Sequence, residues 1–258
     1  MKRQSRGHFV LGVVFLLAVV FTLWNFSSVL IAFLGSGKSF PVQAVRVDGV
    51  LSHVTKRQIA DTVGKIAGDQ NIAAIEPEQI RESLLKNPWL ARVAVHRKMP
   101  DTIVVSVVEH VPAAFWNSDG LYDATAKEIF KPDLTNFGDS LVRLGAYRDN
   151  LAPEVYDSAV ALIRLLQGTR YQMVALYLDQ VRCYTLTLSD GTKLILGKGI
   201  NKCVERLQRL LHALPQVDFK LEDVSYVDLR YDVGFAVGPA KKAPQGESSE
   251  DGTVSKKQ

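Results

Sequence analysis

The chain has 258 residues, 47% of them hydrophobic, with 31 Lys and Arg against 27 Asp and Glu. That length allows one or two domains. The net charge of +4 is mild, and the basic residues are scattered rather than gathered on one face with aromatics between them, which argues against nucleic acid as a partner.

The start, MKRQSRGH, carries Lys2, Arg3 and Arg6 and no acid. The next stretch, residues 9–34, has no charged side chain, and its polar interruptions are Thr22, Asn25, Ser27 and Ser28. As a helix it would be roughly 39 Å long, more than the ~30 Å hydrocarbon core of a bilayer. A cleaved signal peptide is the competing reading. Its apolar region normally runs about 7–15 residues and ends at a small-residue cleavage site, whereas AFLGSGKS matches that site poorly. The positive start predicts a cytoplasmic N-terminus and a chain that lies mostly on the other side of the membrane.

GSGKSFP then breaks the pattern. AVRVDGV reads as a strand ending in an Asp48-Gly49 turn. Thr55 is placed to cap a helix over TKRQIADTVGKIA, with Ile59, Val63 and Ile66 at helical spacing. EPEQIRESLLKNP predicts a second helix, with Pro77 in its first turn and Ile80, Leu84 and Leu85 as its stripe. WLARVAVHRKMPDTIVVSVVEHVP predicts two strands around a polar turn that holds Pro100. Strand, helix, helix, strand, strand within about 70 residues is a small α+β unit with helices on one face of a three-stranded sheet.

The remainder reads as a mostly antiparallel β domain with helices. Strands are expected over FWNSDGLYDATAKEIF, SLVRLGAY and MVALYLDQVRCYTLTLSDGTKLILG. Helices are expected over APEVYDSAVALIRLLQGT and GINKCVERLQRLLHALPQV. The last element, SYVDLRYDVGFAVG at 225–238, alternates Val227, Leu229, Tyr231 and Val233 with polar partners and predicts one final strand. PAKKAPQGESSEDGTVSKKQ reads as a tail.

No catalytic cluster emerges. His8, His53, His96, His110 and His212 form no metal-ligand pair with another His, Cys or acid. There is no nucleophile elbow, phosphate loop or zinc-protease motif. Asp228 and Asp232 read as solvated strand acids. Cys183 and Cys203 are too few for a disulfide framework. They fall in different predicted elements, so both a bridge and two packed free thiols remain open. A terminal strand is often an edge strand whose free N–H and C=O groups pair with an incoming strand. Gly234 and Gly238 would leave that approach open. In the other reading Val227, Leu229 and Tyr231 complete the core and Gly234 is a bend.

The run NPWLARVAVHRKMPDTIVVSVVEHVPAAFW resembles a POTRA module as it occurs in the FtsQ/DivIB family of bacterial division proteins. Pro88, Trp89, Val93, Val95, Arg97, Pro100, Asp101, Glu109, Pro112, Ala114 and Trp116 carry the likeness. TKLILG, the helix after it and SYVDLRYDVGFAVG continue it in the family's order. The resemblance implies a cytoplasmic segment at 1–8, a transmembrane helix at 9–34, a linker at 35–43, a POTRA domain at 44–112, a C-terminal β domain at 113–239 and a tail at 240–258. It also implies a non-enzymatic, essential-type divisome scaffold of the bacterial inner membrane, at the septum, with its bulk in the periplasm. Such a scaffold links early and late division proteins by binding the FtsB–FtsL subcomplex through edge-strand addition.

On the same ground Arg230, Tyr231 and Gly234 match the family's binding motif. Phe235, Ala236 and Val237 fall in the edge itself, and Arg182 matches a basic residue on the preceding strand. Pro239 stands where some relatives have Trp. FtsK, FtsW, FtsI and FtsN are implied as partners of the POTRA domain or anchor, alongside inner-membrane lipid, with no cofactor, metal, nucleic acid or small-molecule substrate. The other class weighed, a POTRA-containing envelope transport or assembly factor, would normally carry a long run of barrel strands, for which this chain is too short.

Overall fold

Charge-free apolar runs make helices, alternating runs make strands, and the chain sorts into both. The computed structural model describes residues 6–35, 41–68, 70–135, 137–138, 140–231 and 233–241. Residues 1–5 of the expected start, most of the linker, Asp232 and nearly all of the tail lie outside those residues, while Arg6, Gly7 and His8 belong to the first helix. Contacts divide the chain into two units, Met1–His110 and Val111–Gln258.

The first element, α1 (Arg6–Gly35), is one continuous helix. Its Val10–Val29 segment is long and apolar enough to cross a membrane and is not buried in protein. The polar residues within it turn inward on the helix. Thr22 donates to the Ala18 carbonyl at 3.0 Å, Asn25 to Phe21 at 3.0 Å, Ser27 to Trp24 at 2.8 Å and Ser28 to Asn25 at 2.8 Å. Such back-bonding satisfies hydroxyl and amide groups where lipid offers no partner.

The rest of the first unit has the expected β-α-α-β-β order: β1 (Ala44–Asp48), α2 (Lys56–Ala67), α3 (Pro77–Leu85), β2 (Leu90–Lys98) and β3 (Thr102–Glu109). The strands lie β1-β3-β2, with β1 parallel and β2 antiparallel to β3. Thr55 starts α2 through a reciprocal cap. Gln58 N–H donates to the Thr55 hydroxyl at 3.2 Å, and the Gln58 side chain accepts from Thr55 N–H at 2.8 Å. Pro77 opens α3, where its missing N–H costs nothing. Ile59, Val63, Ile80 and Leu84 from the helices pack with Ile103, Val105 and Val107 from alternate positions of β3.

The motif glutamate has a structural task. Glu109 is buried, and its carboxylate accepts the backbone N–H groups of Ser52 (2.8 Å), His53 (3.1 Å) and Val54 (2.7 Å). Burial alone would raise its pKa. The three N–H donors outweigh burial and hold it below the ordinary carboxylate value. His53, beside it, stacks flat on Trp89 with ring centroids 3.6 Å apart.

The second unit holds β4 (Pro112–Trp116), β5 (Gly120–Asp123), β6 (Glu128–Phe130), β7 (Arg143–Ala146), α4 (Ala152–Leu166), β8 (Met173–Leu178), β9 (Tyr184–Leu188), β10 (Lys193–Gly197), α5 (Ile200–Ala213), β11 (Tyr226–Asp228) and β12 (Ala236–Val237). Among the described residues they form one sheet in the order β12-β11-β10-β9-β8-β7-β4-β5-β6. Most neighbours are antiparallel. Three pairs are parallel: α4 carries the chain across from β7 to β8 and α5 from β10 to β11, while β5 and β6 intervene between β4 and β7. Leu162 and Leu166 of α4 and Leu207 and Leu210 of α5 share one core with Leu176, Leu186, Leu194, Val227 and Leu229. Each such leucine contributes about 1.5–3 kcal/mol by leaving water.

A candidate binding edge on the second sheet

The crossover of α5 sets β11 beside β10, in the register Lys193↔Tyr226, Leu194↔Val227 and Ile195↔Asp228. The sequence predicts one strand across 225–238, but the strand stops at Asp228. Two local causes end it. The ladder partner runs out, because β10 gives way to α5 after Gly197, and the last ladder bond is the one Leu229 N–H donates to the Ile195 carbonyl at 2.9 Å. Asp228 also closes an Asx turn, its carboxylate accepting Arg230 N–H at 3.0 Å.

The chain then doubles back. β12 pairs antiparallel with β11, Val227 facing Val237 and Asp228 facing Ala236. The pairing continues through Gly238 N–H to the Tyr226 carbonyl (2.8 Å), Ser225 N–H to the Pro239 carbonyl (2.9 Å) and Lys241 N–H to the Asp223 carbonyl (3.0 Å). The final strand is therefore covered by its own continuation, and β12 becomes the sheet's edge. In an antiparallel pair, hydrogen-bonded and non-bonded positions alternate. Gly238 bonds inward to β11, so the N–H and C=O of its neighbour Val237 point away from the sheet.

The expected alternation breaks at the same place. Val227 and Leu229 are buried, but Tyr231 is 56% exposed and Val233 fully so. Tyr231 does not complete the core. Asp228 is not a solvated acid: it is buried, and the Arg230 guanidinium grips its carboxylate at 2.7–3.1 Å. That guanidinium holds the Asp228 carboxyl below its ordinary range. Asp232 lies outside the described residues.

The remaining expected site residues take different parts. Ala236 and Val237 are exposed on the edge strand. Phe235 is half-buried and meets Phe219 edge-on at 5.9 Å, so it anchors the return inward. Gly234 faces open space. Gly238 serves the hairpin rather than an approaching chain, because a Cβ there would stand 2.5 Å from the Tyr226 ring. Arg182 sits in the turn before β9, at φ +66°, and donates to Glu154 of α4 at 2.6 Å. The same Glu154 oxygen accepts the Tyr184 hydroxyl at 2.9 Å. Burial pushes that phenol up to about 12.

A cleft of about 280 Å³ joins these pieces, with Val181, Cys183, Lys198, Lys202, Arg206 and Arg230 on its walls. The two neighbours of Arg182 thus share a wall with Arg230. Both cysteines are buried and unbridged. Cys203 donates to the Gly197 carbonyl at 3.4 Å, and burial pushes its thiol up to about 11. The sequence reading missed Arg206 and Arg209, which reach back from α5 to the carbonyls of Leu196, Arg230 and Tyr231. Their three-residue spacing on the polar side of an amphipathic helix was the visible signal, and it looks the same as an ordinary solvated face. The arrangement offers backbone pairing flanked by cations and exposed apolar side chains, which suits docking.

Comparison with known proteins agrees along both units. The family described as "POTRA domain, FtsQ-type" matches residues 40–110, and "Cell division protein FtsQ/DivIB, C-terminal" matches residues 114–230. The second match ends at Arg230, before β12. Proteins named "Cell division protein FtsQ" are similar over most of the chain. The one from Nitrosospira multiformis is 32% identical over 189 residues, covering 73% of this chain and 77% of its own length. That from Escherichia coli is 28% identical, covering 95% of this chain and 89% of its own, and that from Aliivibrio fischeri is 27% identical, covering 92% and 91%. With a POTRA unit, a C-terminal sheet and relatives at this coverage, the chain belongs to the FtsQ/DivIB family of cell division proteins.

Proposed function

We propose that this protein is a non-enzymatic, membrane-anchored scaffold of the division septum that captures the FtsB–FtsL subcomplex by adding a partner strand to β12. The observation that carries the proposal is the outward aim of the Val237 N–H and C=O at the end of the nine-strand order. An incoming strand finds a donor and an acceptor there. Pro239, which has no N–H, limits the ladder on one side. Tyr231 and Val233 supply exposed apolar surface beside it, and Arg230 and Arg182 supply cations. Helix α1 crosses the inner membrane with Lys2, Arg3 and Arg6 on the cytoplasmic side. The POTRA domain and the anchor meet FtsK, FtsW, FtsI and FtsN.

The test is capture of FtsB–FtsL from membranes by chains carrying Val237→Pro, Val237→Ala or Tyr231→Ala. The Val237 N–H is not used within the sheet, so proline there spares the internal ladder while removing an outward donor and crowding the edge. Val237→Pro should reduce capture by about tenfold or more, the worth of one or two backbone hydrogen bonds, at an unchanged melting temperature. Tyr231→Ala should also weaken capture, and Val237→Ala should change it little. Full capture by Val237→Pro would sink the edge-strand reading.

A further inference from the structure

Between β11 and β12, residues 229–231 and 233–235 lead the chain round, and Tyr231 and Val233 are displayed to solvent. It lies beyond the β10 ladder, and its carbonyls at Arg230 and Tyr231 fall outside the β11–β12 pairing. A short exposed turn of this kind ordinarily samples many conformations. Here α5 holds its backbone. Arg206 donates through one guanidinium nitrogen to the Leu196 carbonyl at 2.7 Å and through the other to the Arg230 carbonyl at 3.1 Å. Arg209 donates to the Tyr231 carbonyl at 2.9 Å.

The two arginines are three residues apart and so share a side of α5, next to the stripe of Cys203, Leu207 and Leu210 that the helix buries in the core. The planar guanidinium lets Arg206 bridge a carbonyl of β10 and one of the turn at once, which a lysine ammonium reproduces poorly. Space has been left for it: Gly197 has φ +89°, and a Cβ there would collide with the Arg206 guanidinium.

We infer that Arg206 and Arg209 are positioning residues for partner capture, holding the backbone of Arg230 and Tyr231 against α5 so that the edge is presented in one conformation. The inference rests on the proposed capture by β12, and it assigns α5 a part that neither the family motif nor the edge itself contains. Ordering the segment before a partner arrives removes an entropy cost from binding.

The experiment compares the full chain with Arg209→Ala, Arg206→Ala and Arg209→Lys. Amide hydrogen exchange is read in the free protein, and FtsB–FtsL capture is read at two salt concentrations. Arg209→Ala should speed exchange several-fold across 229–237 while β8, β9 and β10 keep their protection. It should weaken capture about tenfold with an unchanged salt dependence, because the lost contact is internal rather than to the partner. Arg206→Ala should do the same, and Arg209→Lys should fall between. Unchanged exchange at 229–237 in both alanine variants overturns the inference. So does local loosening that leaves capture intact while Tyr231→Ala abolishes it, or a weakening that disappears at the higher salt. If the unsubstituted chain captures nothing, the partner reading fails by itself, and the exchange comparison still decides whether α5 holds the turn.

Discussion

Two buried carboxylates take the same structural role, each tying down backbone N–H groups. Glu109 closes the 52–54 backbone onto β3, and Asp228 closes the turn that ends β11. Both have folded pKa values below their ordinary ones of 4.5 and 3.8. Their contribution to stability is therefore complete above those ordinary values and is lost as pH falls through the lower folded ones. Melting temperature followed from pH 6 to pH 2 should fall most steeply below about 4.5. Glu109→Gln should cost about 2–3 kcal/mol at neutral pH, because buried N–H groups lose a charged acceptor, and it should flatten the acid-side decline. Glu154 is the contrasting case. It already occupies Arg182, the cation that the family resemblance assigns to docking. If an acidic partner uses Arg182, it must displace Glu154, so Glu154→Gln should strengthen FtsB–FtsL capture, read as a slower off-rate. Unchanged capture would remove Arg182 from the contact. Sequence reading found Arg182, Arg230 and Tyr231 only through resemblance. Nothing in the pattern shows that Asp228 sits inside and grips Arg230, because the pairing depends on where β10 ends.

At the scale of elements, the informative difference is the hairpin that replaces one strand. The alternation at 225–238 is real as far as Leu229, and there the pattern stops corresponding to the fold. An Asx turn and the loss of the β10 partner override strand propensity, as tertiary context commonly does. Both glycines were visible, but only Gly238 departs from its expected part. Gly234 has room for a side chain, whereas Gly238 lies under the Tyr226 ring. Gly238→Ala should therefore destabilise the β11–β12 hairpin, and Gly234→Ala should be nearly neutral, a contrast that amide exchange of residues 223–228 would read directly. Equal effects would mean that the ring does not hold the hairpin. The helices were far more legible. Thr55, Pro77 and the leucine stripes of α4 and α5 mark boundaries by local chemistry alone, without reference to a distant partner. The order of strands could not be read that way, because the sequence of nine strands across the sheet was set by two helical crossovers and the excursion through β5 and β6.

For the molecule as a whole, the anchor, the POTRA unit and the C-terminal sheet were all readable from sequence, since each is set by length, period or family motif. The anchor's direction was readable only as a charge rule. On that rule, protease added to spheroplasts should degrade both units and leave α1 protected, and survival of the POTRA unit would reverse the topology. The proposed function turns on the outer edge of β12, which we propose receives a strand from another chain. The most direct measurement is amide exchange at Val237 with and without FtsB–FtsL. Strand addition at this edge predicts that the Val237 N–H, open in the free protein, becomes strongly protected in the complex. A Val237 N–H that exchanges at the same rate in free and bound protein would contradict it.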